Sequence, residues 1–423
     1  MKISIDGRVR HCRTVTFDAG RNAVRLVDQR RLPHRFQIVA AADFRATARA
    51  IAEMVVRGAG AIGATAAYGL AQGARAFRGS DPAKFFARLQ LVYQTLQAAR
   101  PTAVDPVNAM NAVLRALRAG TTVAEQQALA LAAAEEFAND DVRHCAAIGR
   151  HGEKLIRPGA NILTHCNAGW LAFVDIGSAT APLYAARQAG RKFHVYCDET
   201  RPRCQGATLT AWELAGQNIS HQIISDTAAG HLMQRGEIDL IIVGSDRVLG
   251  RTGEAANKIG TYTLAVVARR HRIPFYVAIP LSTLDWDLRS GRAIPIEERD
   301  EGEVLGAWGA VREGSGPAYL RIANPSSGAR NPGFDVTPPE LITGIITPEG
   351  IFRPRALWKN RRRLGLRGPS SGPAPRVLAR RTPEGAGQNS SASRQGRAAA
   401  LPWILGRRSS AALPEARRIF SRG

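Results

Sequence analysis

The sequence predicts an α/β protein with an N-terminal small sheet plus helical domain, followed by a C-terminal Rossmann-like, doubly wound parallel sheet. Three observations lead there. Residues 1 to about 45 hold short β-type runs. From Ala46 to about Glu153 the text becomes Ala/Leu-rich with helical spacing. After Ile156 short apolar runs alternate with helix-like stretches, the pattern of strands joined by crossover helices.

Along the chain, Ala23-Val24-Arg25-Leu26-Val27 reads as a strand that ends at the turn-like Asp28-Gln29-Arg30-Arg31-Leu32-Pro33. Phe85 to Ala99 and Val123 to Phe137 carry the helical repeat. Five later runs read as strands: Asn161–Thr164, Phe193–Tyr196, Gln222–Ile224, Leu240–Val243 and Phe275–Ala278. Helix-like segments over Ala181–Gln188, Leu209–Ala215 and Thr261–Arg270 separate them. Connections of that length bring the chain back in the same direction, so the strands run parallel with both sheet faces covered. The expected divisions are 1–150, 151–358 and a tail over 359–423.

At 423 residues and 45% apolar content the chain can bury a large core. It holds no apolar run near the length of a membrane span, and Met1 to Arg10 lacks a secretory apolar core, so a cytoplasmic setting without a membrane partner is expected. Five scattered cysteines form no CxxC pair and fit free thiols in a reducing compartment. The net charge of +23 points toward nucleic acid until its distribution is read. Arg361 to Gly423 contributes 14 Arg against two acids, a net +12, in a segment built mainly from Arg, Ala, Gly, Pro and Ser. Such a composition cannot bury enough apolar surface to offset its ordering entropy, and it lacks interleaved aromatics for base stacking. A nucleic-acid partner therefore rests on this basic tail alone.

In doubly wound sheets ligands bind beyond the carboxyl ends of the strands. Those ends read His165-Cys166-Asn167, Asp198-Glu199, Ser225-Asp226, Ser245-Asp246 and Ser282-Thr283, so ionisable or polar groups gather on one rim. A cysteine is by default a buried small apolar residue, but Cys166 stands at a strand end between His165 and Asn167. Asp246 fits either a helix N-cap or a positioned acid. Arg57-Gly58-Ala59-Gly60-Ala61-Ile62-Gly63 contains the letters GxGxxG, yet the segment before it has helical spacing, whereas the dinucleotide fingerprint needs a strand there. Two readings remain: a loop whose amides and Arg57 grip an anion, or close packing of helices on small residues. Asn257-Lys258 ahead of Gly260 and a helix form a phosphate-site candidate. No His/Cys/Asp group has metal-ligand spacing and no GxSxG elbow is present. The expected chemistry runs on side chains, with no metal and no cofactor.

These residues resemble the 5-methylthioribose-1-phosphate isomerases, within a larger group that includes ribose-1,5-bisphosphate isomerases and the regulatory subunits of the eukaryotic initiation-factor exchange complex. The resemblance runs from about Asp28 to Pro354. It rests on Met54 to Ala59, Ala99 to Val104, Thr164 to Gly169, Asp198 to Pro202, Gln205 to Ala207 with Leu209 to Leu214, Asn257 to Thr261, Ile294 to Arg299 and Phe334 to Glu340. It implies that Cys166 and Asp246 catalyse and that Arg57, Gly58, Ala59, Arg100, Gln205, Asn257 and Lys258 hold a sugar phosphate. It further implies a homodimer and a place in methionine salvage. The chain departs from the group's usual text at Gly60, Ser245, Glu254 and Trp170 to Asp175, and it carries one extra residue between Asp246 and Asn257. In this it looks like a bacterial subgroup that also handles 5-deoxyribose 1-phosphate.

For such a substrate the 1-phosphate blocks spontaneous ring opening, so the ring oxygen must be protonated. Asp246 is the candidate acid if burial keeps it protonated near neutral pH. Hydrogen then moves from C2 to C1, either as a proton through Cys166 or as a hydride while Cys166 stabilises charge. The rival readings are a ribose-1,5-bisphosphate isomerase, which needs a second cationic site, and a non-catalytic regulatory subunit, which needs no acid–thiol pair.

Overall fold

The computed structural model describes residues 1–5, 8–100, 104–310 and 317–366. The chain opens with two small antiparallel sheets, β1 (Lys2–Ile5) with β2 (Arg8–His11), and β3 (Val15–Asp18), β4 (Ala23–Val27) and β5 (Ile38–Ala41) in that spatial order. Helices follow: α1 (Phe44–Ala52), α2 (Ala59–Arg75), α3 (Pro82–Ala99), α4 (Asp105–Leu117) and α5 (Val123–Gly152). Their starts are written locally. Asp43 and Asp81 cap α1 and α3 through their carboxylates, and Thr122 with Glu125 forms a reciprocal capping box at α5.

Helix α2 is the axis of this part. Every residue from Ala59 to Ala74 is buried, because nearly all are small and let α3, α4 and α5 approach. A Cβ at Gly73 would stand 2.5 Å from Val92 of α3, and one at Gly69 3.0 Å from Leu96. Beyond the anion loop, the small residues therefore do pack helices. Helix α5 then continues onto the second part, where Gly149 and Gly152 lie against Ala181 and Pro182.

The second part alternates strands and helices: β6 (Asn161–Thr164), α6 (Ala181–Gln188), β7 (His194–Asp198), α7 (Ala211–Gly216), β8 (His221–Ile224), α8 (Ala228–Gln234) and β9 (Leu240–Val243). After β10 (Arg247–Leu249) and β11 (Ala255–Lys258) come α9 (Thr261–Arg270), β12 (Phe275–Ala278), β13 (Leu284–Asp285), β14 (Gly306–Ala310) and β15 (Pro317–Arg321). The last strands are β16 (Phe334–Thr337), β17 (Gly344–Thr347) and β18 (Gly350–Phe352). The main sheet has seven strands in the order β18-β17-β12-β9-β6-β7-β8, parallel except for the edge strand β18. The order reverses direction at β6, between β7 on one side and β9 on the other, which is where a doubly wound sheet opens a crevice.

Two features differ from the sequence reading. A second sheet, β13-β10-β11-β16, was not foreseen; Asn257 and Lys258 end its strand β11, and Gly260 with the helix α9 follows as expected. Its strands are two to four residues long and β16 joins from far along the chain, so apolar periodicity leaves no mark. The segment expected to begin a tail at 359 stays packed at first: Leu364 is buried in the cluster that holds Leu357 and Ile345. Residues 367–423, the rest of the expected basic tail, lie outside the described residues.

Candidate functional site

The carboxyl ends of β6 and β9 open onto a cleft whose walls come from both parts of the chain. All nine sequence-predicted site residues line it: Arg57, Gly58, Ala59, Arg100, Cys166, Gln205, Asp246, Asn257 and Lys258. Met54, Phe173, Arg299 and Phe334 line it too, and the sequence reading missed their part. Phe334 is placed by strand register alone, since β16 pairs with β11 so that Phe334 stands opposite Lys258. The Lys258 ammonium lies over that ring at 4.6 Å.

Helix α1 precedes the Arg57–Gly63 stretch, with no strand before it, so a dinucleotide fingerprint is not built here. Gly58 instead turns the chain into α2 with φ 89°, and a Cβ there would stand 2.4 Å from the Ala172 backbone. The amino end of the seventeen-residue α2 thereby opens onto the cleft, a place that favours anions. The Arg57 guanidinium donates to Asn167 Oδ1 at 3.2 Å and to the Asn167 carbonyl at 2.7 Å. Asn167 is itself held by the buried Glu213, which also accepts from the Trp170 and Leu171 amides and the Tyr184 hydroxyl.

Charge decides what this cleft can take. Among the described residues, Arg57, Arg100 and Lys258 form no ion pair with a carboxylate, and Arg100 Nε and Nη1 are buried without a hydrogen-bond partner. Burying a cation without a partner is costly, so an anion is the missing half. Arg299 differs, being paired to Glu297 at 2.9 Å and Glu303 at 2.6 Å. Among the described residues, Asp246 is the only acid that lines the cleft. Burial pushes its carboxyl above the usual range, while Lys258, Arg100 and Arg57 pull it back. Burial likewise raises the Cys166 thiol against the pull of Arg57 and Lys258, and lowers the Lys258 ammonium against Cys166 and Asp246. Asp246 is no helix N-cap: it stands between β9 and β10, its amide bonded to the Ala256 carbonyl at 3.0 Å.

The fold also gathers His165, Asp198 and Asp226, with ligand atoms within 4.8 Å of one another, a group that linear spacing hides. Much of their bonding capacity is used within the protein, although Asp198 Oδ1 is buried without a hydrogen-bond partner. His165 Nδ1 meets Asp198 at 2.8 Å, His165 Nε2 meets the Ile259 carbonyl at 2.9 Å, and Asp226 accepts from the Thr200 and Arg201 amides. Burial pulls the His165 imidazole down, but the hydrogen bond and charge of Asp198 outweigh it and leave a net rise. Through these two hydrogen bonds His165 bridges β6 to the end of β11.

A doubly wound sheet whose crevice holds a thiol, a carboxyl and cations without a carboxylate partner among the described residues defines a protein that handles a small phosphorylated ligand. The model of the Initiation factor 2 subunit family matches residues 55–354. A methylthioribose-1-phosphate isomerase from Methylocella silvestris is 49% identical over 344 residues, covering 79% of this chain and 92% of its own. The crystal structure of 5-methylthioribose 1-phosphate isomerase from Pyrococcus horikoshii OT3 superposes with a TM-score of 0.72 at 38% identity, over 84% of this chain and 96% of that one. That of the translation initiation factor eIF-2B, subunit delta, from A. fulgidus gives 0.69 at 37% identity, over 82% and 97%. The chain belongs to the Initiation factor 2 subunit family and, within it, to the methylthioribose-1-phosphate isomerase group.

Proposed function

We propose that the chain is an aldose–ketose isomerase that converts 5-methylthioribose 1-phosphate to 5-methylthioribulose 1-phosphate, a step of methionine salvage. One observation carries the reading: Cys166 and Asp246 share a cleft whose cations Arg57, Arg100 and Lys258 form no ion pair with a carboxylate among the described residues. The substrate phosphate supplies the missing anion, helped by the amino end of α2 at Gly58 and Ala59. Gln205, whose Oε1 is buried and unpartnered, and Asn257 on β11 orient the sugar.

Asp246 donates its proton to the ring oxygen as the bond from that oxygen to C1 breaks. The hydrogen on C2 moves to C1, and the C2 hydroxyl returns a proton to Asp246 as the ketone forms. Burial of Cys166 holds its thiol protonated, which supports a direct shift of hydride from C2 to C1 beside the sulfur. A substrate deuterated at C2 then yields ketose with deuterium at C1; washout into ordinary water would assign the transfer to a thiolate acting as base.

An apolar recess of Ile62, Ala256, Ile294, Pro295 and Phe334 adjoins Asp246 and Arg100. Arg247 at its edge is paired to Asp285 at 2.9 Å. This supports a thioether or deoxy group at C5 and speaks against a second phosphate there. The same reading carries a cytosolic homodimer, which sedimentation of the purified protein checks. In the decisive experiment the protein meets 5-methylthioribose 1-phosphate, 5-deoxyribose 1-phosphate and ribose 1,5-bisphosphate separately, with ketose followed by NMR. Turnover of the first is expected. Turnover of the third alone, or of none, would overturn the reading. Cys166→Ser and Asp246→Asn should each lower kcat by at least about 10³-fold, as removal of a group acting in the transition state does, while inorganic phosphate still binds.

A further inference from the structure

Cys166 has a left-handed backbone, φ 63°, which costs a non-glycine residue roughly 1–2 kcal/mol and persists only where the surroundings dictate it. Two hydroxyls dictate it here. The Cys166 amide donates to Thr200 Oγ1 at 2.8 Å, and Thr210 Oγ1 donates to the Cys166 carbonyl at 2.7 Å. Both threonines are almost fully buried, at 0% and 1% exposure, and neither lines the cleft. Each hydroxyl is fixed in turn. Thr200 Oγ1 donates to the Asp198 carbonyl at 3.0 Å, and the Thr200 amide is tied to Asp226 at 2.7 Å. Thr210 Oγ1 accepts from Asn167 Nδ2 at 3.1 Å, and Asn167 holds Arg57.

Thr210 closes a π-helical turn, Gly206–Thr210, directly before α7. Such one-turn bulges recur at functional sites. A Cβ at Gly206 would stand 1.7 Å from the Asp198 carbonyl oxygen, so the turn is pressed onto the end of β7. Its first flank, Gln205, reaches the cleft and its last residue reaches the back of Cys166. We infer that Thr200 and Thr210 are positioning residues that clamp Cys166 in its left-handed conformation, and that the π-helical turn ties this clamp to Arg57 through Asn167. The inference rests on Cys166 being the working thiol of the proposed isomerase.

The test uses Thr200→Val and Thr210→Val, which keep the side-chain shape and remove the hydroxyl, with Thr200→Ser and Thr210→Ser as rescues. Each full-length variant is assayed for isomerisation of 5-methylthioribose 1-phosphate. The alkylation of Cys166 by iodoacetamide is followed against pH by peptide mass spectrometry. The valine variants should lose about 10²-fold in kcat, the order expected when a reacting group is misplaced by about an ångström. KM should rise with Thr210→Val, which also removes one of the two acceptors of the Asn167 side-chain amide, and stay within about threefold with Thr200→Val. The Cys166 alkylation profile should shift in both, and the serine variants should recover to within about fivefold. Should a valine variant fail to fold, the alanine variant at that position takes its place. Valine variants with near-normal kcat would overturn the clamp, as would a loss that serine does not restore or that leaves Cys166 alkylation unchanged. If the wild-type protein turns over no substrate, the isomerase reading fails on its own, and the alkylation profiles still decide whether the two hydroxyls set the state of Cys166.

Discussion

At the scale of single residues, the site balances burial against charge, and that balance yields a pH signature. Asp246 must be protonated to open the ring, so turnover falls as pH rises through its pKa. Burial raises that pKa while Lys258, Arg100 and Arg57 oppose the rise. A bound phosphate dianion pairs with those cations and cancels their pull, so the carboxyl holds its proton to higher pH in the complex. Since kcat/KM reports the free protein and kcat the complex, the alkaline limb of kcat/KM should lie at lower pH than that of kcat. Coincident limbs, or limbs in the opposite order, would show that the phosphate does not set the protonation of Asp246. The sequence made this much visible: Cys166 and Asp246 sit at two strand ends, and polar groups at such ends face one crevice. It hid Phe334, Arg299 and Met54, because a ring under a lysine and a guanidinium already paired to Glu303 look like any core or surface residue in text.

At the scale of elements, the turn from α1 into α2 shows why letters alone mislead. The string GxGxxG was legible, and so was the helix before it, which ruled out a nucleotide loop. Only the fold separates the glycines by task. Gly58 has φ 89° and touches the Ala172 backbone, whereas a Cβ at Gly60 would meet the Phe173 ring and Asp141. Gly58→Ala should therefore carry both the left-handed penalty and a clash with backbone that cannot rotate away, for a loss of about 2–4 kcal/mol. It should also weaken protection of the protein by inorganic phosphate. Gly159→Ala is the control, with φ 79° and nothing within 4 Å of the added Cβ. It carries the conformational penalty alone, about 1–2 kcal/mol. Equal thermal midpoints for the two variants would remove the close approach of Ala172 from the account. The parallel strands and α6 and α9 were legible for a different reason: each carries a short apolar run, such as Leu183 to Ala186 in α6 and Leu264 to Ala268 in α9, between turn residues. The β10–β11–β16 sheet was not, since its short strands pair across nearly eighty positions and fix a site by register rather than by pattern.

At the scale of the whole molecule, charge and packing give different answers about where the folded part ends. Composition turns basic and apolar-poor after residue 360. Packing continues further, since Leu364 is 1% exposed among Leu357, Ile345 and their neighbours, and Arg363 reaches Glu349. Composition averages over a window and cannot see that one leucine anchors a run of arginines. The two boundaries are separable by truncation. A chain ending at Gly368 should melt with the full-length protein and keep its isomerase turnover. A chain ending at Asn360 loses the buried Leu364 and should unfold at lower temperature, by the roughly 2–5 kcal/mol that removal of a core leucine costs. Thermal melts of the three chains decide it. Matching melts for the Asn360 and Gly368 truncations would place the end of the core before 360 and make Leu364 a passenger. The net +12 of residues 361–423 sits mostly beyond the second cut, so any salt-sensitive affinity for nucleic acid should vanish in the Gly368 chain while turnover persists. Nucleic-acid binding that survived this cut would move the basic surface onto the folded part, where the unpaired cations of the cleft would then have a second claimant.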